Sequence, residues 1–88
     1  MSEQIQVEHN PGERCFSAVV DGYKAVLEYR TVDEKTVDFC HTFVPDELRG
    51  KGVAAVLAKA AFAYAKEQQL QVIPSCSYIA TYMQRYPQ

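Results

Sequence analysis

Hydrophobic and polar positions alternate through the first half of the chain and then change period. Ile5 and Val7 alternate with Gln4, Gln6 and Glu8, which reads as a half-buried strand. Asn10-Pro11-Gly12 enforces a turn. Over 15–20, Phe16, Ala18 and Val20 share one face of a second strand. Asp21-Gly22 is a two-residue hairpin signal, because both positions tolerate positive φ. The next strand, 23–30, sets Tyr23, Ala25, Leu27 and Tyr29 opposite Lys24, Val26, Glu28 and Arg30. After a polar turn at 32–35, positions 36–44 form a strand with Val37, Phe39, His41 and Phe43 on one face. The pattern predicts an antiparallel meander of about four strands.

At Pro45 the period lengthens. Val53, Val56, Leu57, Ala60, Ala61 and Tyr64 follow helical spacing, with Lys59, Lys66, Glu67 and Gln68 outside the stripe. Seven alanines over 54–65 favour a helix that packs closely on a sheet. The apolar run 70–73 ends at Pro74 and reads as a strand reached by crossover, parallel to a neighbour in the same sheet. Positions 77–85 form a short C-terminal helix stopped by Pro87. The expected fold is α+β: one domain over 1–88, a mainly antiparallel twisted sheet with a central helix and a short final helix.

Composition narrows the function classes. With 48% hydrophobic and 23% charged residues among 88, the chain is ordinary globular material rather than disordered. A formal net charge of −2 lacks the basic excess of a protein built to grip nucleic acid. Cys15, Cys40 and Cys76 are odd in number and widely spaced, so neither a disulfide framework nor a metal site is expected. Reduced thiols, a polar start at Met1-Ser2-Glu3-Gln4 and no apolar run of ~20 residues predict a cytoplasmic protein without a membrane span.

Gly50 and Gly52 stand where the long helix begins, and each costs up to ~1 kcal/mol against alanine inside a helix. Two readings explain them. The glycines ease a tight strand-to-helix turn with Asp46 as the cap. Alternatively, backbone N–H groups at the helix start close on a phosphate, helped by the helix dipole, Arg49 and Lys51. Other phosphate patterns do not fit: GxxxxGK[ST] is absent, GxGxxG fails at Ala55, and the nucleic-acid GXXG is unmatched.

Arg49-Gly50-Lys51-Gly52-Val53-Ala54 matches [QR]-x-x-G-x-[GA], placed after a long strand and opening the central helix. Together with Val44-Pro45, Ile73-Pro74-Ser75-Cys76-Ser77-Tyr78 and Tyr82, the stretch 41–87 resembles the GNAT acetyltransferase superfamily, in particular its very short members. The resemblance implies acetyl-CoA as the cofactor. By position it implies backbone contacts to pantetheine from Phe43 and Val44, and phosphate contacts from Arg49, Gly50, Lys51, Gly52, Val53 and Ala54.

Transfer of an acetyl group to an amine sets chemical requirements. An amine of pKa near 10.4 is neutral in about one molecule in 2,500 at pH 7, so a base or relay helps. Cys76, between the short strand and the last helix, is the first catalytic candidate, as acetyl acceptor or as acid toward the CoA thiolate; the alternative is a small core residue. His41 is a candidate base or a packed strand residue. Tyr82 matches the tyrosine that many family members use to protonate the thiolate, or else it packs with Tyr78, Met83 and Tyr86. His9, beside a turn, is expected to be exposed, and Cys15 and Cys40 to be structural. Arg85 either touches a CoA phosphate or, the preferred reading, faces water.

One departure from the family matters. Asn10-Pro11-Gly12-Glu13 alone separates the first two strands, where the family usually places helices that wall the acceptor site. The expected function is acetyl-CoA-dependent N-acetylation of an amine on a small molecule or protein, with an open acceptor side or one completed by a homodimer or partner protein. The rival readings are a CoA-binding module that senses the cofactor or docks on a partner without turnover, and a purely structural interaction domain.

Overall fold

The computed structural model describes residues 5–86. The polar start at residues 1–4 and the helix stop at Pro87 lie outside the described residues. Five strands form one sheet in chain order: β1 (Val7–Asn10), β2 (Cys15–Val20), β3 (Tyr23–Asp33), β4 (Thr36–Phe43) and β5 (Gln71–Ile73). The first four run antiparallel, and β5 lies parallel to β4. Between β4 and β5 come a 3-10 turn at Asp46–Leu48 and α1 (Val53–Glu67); α2 (Ser77–Arg85) follows β5. This is the expected α+β architecture. The third strand runs beyond position 30, because Thr31 and Asp33 pair with Val37 and Thr36.

The hairpin at Asp21-Gly22 forms as its chemistry requires, with φ of 52° and 81°. On one sheet face Phe16, Ala18, Ala25, Leu27, Tyr29, Val37 and Phe39 meet the helices. The buried stripe of α1 comprises Val53, Leu57, Ala58, Ala61, Phe62 and Ala65. It is rotated from the predicted stripe, leaving Val56, Ala60 and Tyr64 half-buried. The cause is α2, whose Tyr82 stacks on Phe62 at 5.5 Å and gives α1 a second packed flank. Side chains such as Leu57 and Phe62 each contribute roughly 1.5–3 kcal/mol by burial.

Two sequence expectations fail on this sheet. His9 is not exposed. It shares the core face, stacks on Phe16 at 4.3 Å, meets the Tyr64 ring at 4.4 Å, and its Nε2 lies 2.6 Å from the Tyr29 hydroxyl. The second failure is in β4. Tyr29 pairs with Phe39 but Glu28 pairs with His41, so Cys40 is an extra residue in the ladder. This bulge reverses the side-chain phase. Thr42 therefore joins Leu27 on the core side, while His41 and Phe43 turn to the opposite face and are exposed.

Candidate functional site

The site begins where β4 and β5 part. Their ladder ends at Asp38 opposite Ile73, and Pro74 has no N–H with which to continue it. Residues 40–43 of β4 thus have no strand on that side among the described residues. The chain leaving β5 is fixed to β4 by the Cys76 N–H, which donates to the Phe39 carbonyl at 3.0 Å. Cys76 is the N-cap of α2 and is half-buried.

Its sulfur lies 3.5 Å from the Thr42 hydroxyl oxygen. Burial pushes the thiol pKa up. The Thr42 hydroxyl and the N–H groups of Ile79 and Tyr78 at the helix start favour the thiolate, and together they bring it below the ordinary value. At the last pair of the ladder, Asp38 is 3% exposed, with Oδ2 bonded to Arg30 Nη2 at 2.8 Å. Arg30 holds that carboxyl below its ordinary value against the effect of burial, and Ser75 adds to the lowering. No donor reaches Oδ1 with full hydrogen-bond geometry among the described residues.

The other half of the site is the turn before α1. Gly50 and Gly52 have φ of 83° and 76°, a left-handed backbone that L side chains rarely adopt. A Cβ at either would meet nothing within 4 Å, so the glycines are required by the backbone path, and the space beside them is open. The first helical bond of α1 runs from the Val56 N–H to the Gly52 carbonyl at 3.1 Å. The N–H groups of Val53, Ala54 and Ala55 precede it and have no acceptor within the helix. Gly52 supplies no side-chain cap, and Asp46, the expected cap, instead opens the preceding 3-10 turn and pairs with Arg49 at 3.1 Å. Lys51 pairs with Asp21 at 2.8 Å.

Val44, Leu48, Arg49, Gly50, Gly52, Val53, Ala54, Ala55 and Tyr78 line a groove of about 350 Å³ over this turn. Donors in an open, apolar-walled groove suit an anion attached to a slender organic chain. Thr42 and Cys76 stand two residues before Val44 and Tyr78 on the same two segments, so the groove and the cysteine adjoin. Residues 15–88 match the GCN5-related N-acetyl-transferase family. The chain belongs to this family. Protein NATD1 of Xenopus tropicalis is 44% identical over 88 residues, which covers 98% of this chain and 81% of that one. NATD1 of Homo sapiens is 41% identical over 85 residues, covering 94% and 75%. A GCN5-like protein of Staphylococcus aureus, solved by NMR in solution, superimposes with a TM-score of 0.71 at 32% identity, over 91% of this chain and 78% of that one.

Within this family member, the candidate residues separate into two sets. Val44, Arg49, Gly50, Gly52, Val53 and Ala54 line the groove that adjoins Cys76, while the Lys51 side chain does not line it and pairs with Asp21. His41 does not join them: the bulge sends it to the opposite sheet face beside Glu28. Phe43 likewise points away and is 51% exposed, leaving its backbone alone at the β4 edge. Tyr82 is stacked between Phe62 and Tyr86, at 5.5 and 5.0 Å, and does not line the groove. Sequence reasoning missed Thr42, which a straight strand would have turned the other way. It also missed Tyr78 as a groove wall, although its distance of two residues from Cys76 was a usable signal.

Proposed function

We propose that this GCN5-related protein is an acetyl-CoA-dependent N-acetyltransferase in which Cys76 carries the acetyl group. Support comes from one convergence: the groove over the glycine turn leads to a cysteine whose thiolate is favoured by Thr42 and the start of α2. Val53, Ala54 and Ala55 hold phosphate through their N–H groups, and Val44 and Tyr78 flank the slender arm. Acetyl-CoA, when bound, supplies the acetyl group as a thioester. The Cys76 thiolate takes that group, its new sulfur–carbon bond replacing the one to CoA. A neutral amine then attacks the same carbonyl carbon and passes its proton to the departing Cys76 sulfur.

The alternative is a CoA-binding module without turnover. It draws support from His41 and Tyr82 facing away, and from a connection of only residues 11–14 between β1 and β2, where no helix walls an acceptor. A partner protein or second copy would then complete the acceptor side. Intact-protein mass spectrometry with acetyl-CoA separates the two readings. The transferase gains about 42 Da, the mass of one acetyl group on its nucleophile, and Cys76→Ser loses that gain. CoA binding by calorimetry without any adduct or transfer to amines would favour the module.

A further inference from the structure

Both cations of the glycine turn are held by carboxylates, one of them from a distant element. Arg49 and Asp46 form a local pair, 75% and 85% exposed, of the kind that contributes little. Lys51 and Asp21 are 30 residues apart, with Nζ 2.8 Å from Oδ2 and exposures of 47% and 54%. Topology creates this second contact. Because β3 and β4 are antiparallel, with Val26 opposite Phe43, the start of β3 and the end of β4 share one end of the sheet. The Asp21-Gly22 hairpin precedes β3 and the glycine turn follows β4, so both project from that end.

We propose that Asp21 is a specificity-determining residue for the groove, its carboxylate competing with a ligand phosphate for Lys51. This rests on the proposed cofactor groove. An ammonium on a flexible stem can exchange one anionic partner for another. A carboxylate that stays near the bound phosphate also adds like-charge repulsion. Asp21 therefore weakens binding of phosphate-bearing ligands and is indifferent to the same ligand without phosphate.

The test is calorimetric titration of the full chain and of Asp21→Asn with CoA and with pantetheine, which lacks the phosphates and the adenosine. Asparagine tolerates the positive φ at position 21, so the hairpin is kept. Asp21→Gly serves the same purpose should the first variant fail to fold. The neutral variant is expected to bind CoA about two- to fivefold tighter at low salt. That gain shrinks as salt is raised and is absent for pantetheine. Equal or weaker CoA binding by the variant, or the same gain with pantetheine, overturns the role of Asp21 and leaves the groove standing. No CoA binding by wild type or variants overturns the groove reading itself.

Discussion

Cys76 stands between opposing influences on its thiol. Burial disfavours the charge, whereas the Thr42 hydroxyl and the α2 N–H groups favour it more strongly. Thr42→Val removes the hydroxyl while preserving shape. The thiol pKa of that variant is expected to rise, which is read as an upward shift in the pH profile of alkylation by iodoacetamide. An unchanged profile would mean that the helix start alone sets the thiol. His41, by contrast, faces away from this chemistry, and His41→Ala is expected to keep acetyl transfer within about twofold, far from the 10²–10⁴-fold that an acid–base group supplies. The sequence showed both residues on a strand near the glycine turn. Which of the two meets the cysteine depended on one inserted residue, Cys40, that no alternation pattern reveals.

At the scale of elements, His9 adds a core anchor to β1 beyond its ladder with β2. Its ring fills the space between Phe16 and Tyr64 while bonding to Tyr29, and burial lowers its pKa below the ordinary 6.5. The unfolded chain then binds the proton more readily than the folded one. Stability is complete above about pH 6.5 and declines as pH falls from there toward the lowered folded value. Urea unfolding between about pH 7.5 and 5.5 should show a falling midpoint that flattens in His9→Gln. The sequence misread this residue because a histidine next to Asn10-Pro11-Gly12 looks like part of the turn. Its strand phase, two positions from Val7, was the signal that put it on the core face.

At the scale of the molecule, a Cα radius of gyration of 12.5 Å is close to the ~12 Å expected of a folded chain this long. No described helix is long and apolar enough to cross a membrane. The groove joins the β4 end, the glycine turn and the α2 start, so a ligand there ties together segments far apart in sequence. CoA at about 100 times its dissociation constant is expected to add about 2.7 kcal/mol of stability, which raises the melting temperature by roughly 10 °C or more. A thermal melt with CoA at that excess that shows no rise would mean that the native protein does not bind it.

The sequence by itself determined the elements and their order. Alternation, the Asp21-Gly22 turn, the change of period at Pro45 and the proline after Ile73 are local signals, each acting within a few residues. It also determined the glycine turn, because left-handed φ at Gly50 and Gly52 leaves few other residues acceptable. Tertiary structure alone decided which distant residues each side chain meets. The Cys40 bulge, the rotation of the α1 stripe toward α2, the burial of His9 and the pairing of Lys51 with Asp21 all arise between segments distant in the chain. Such contacts depend on register and packing, which a one-dimensional pattern does not contain.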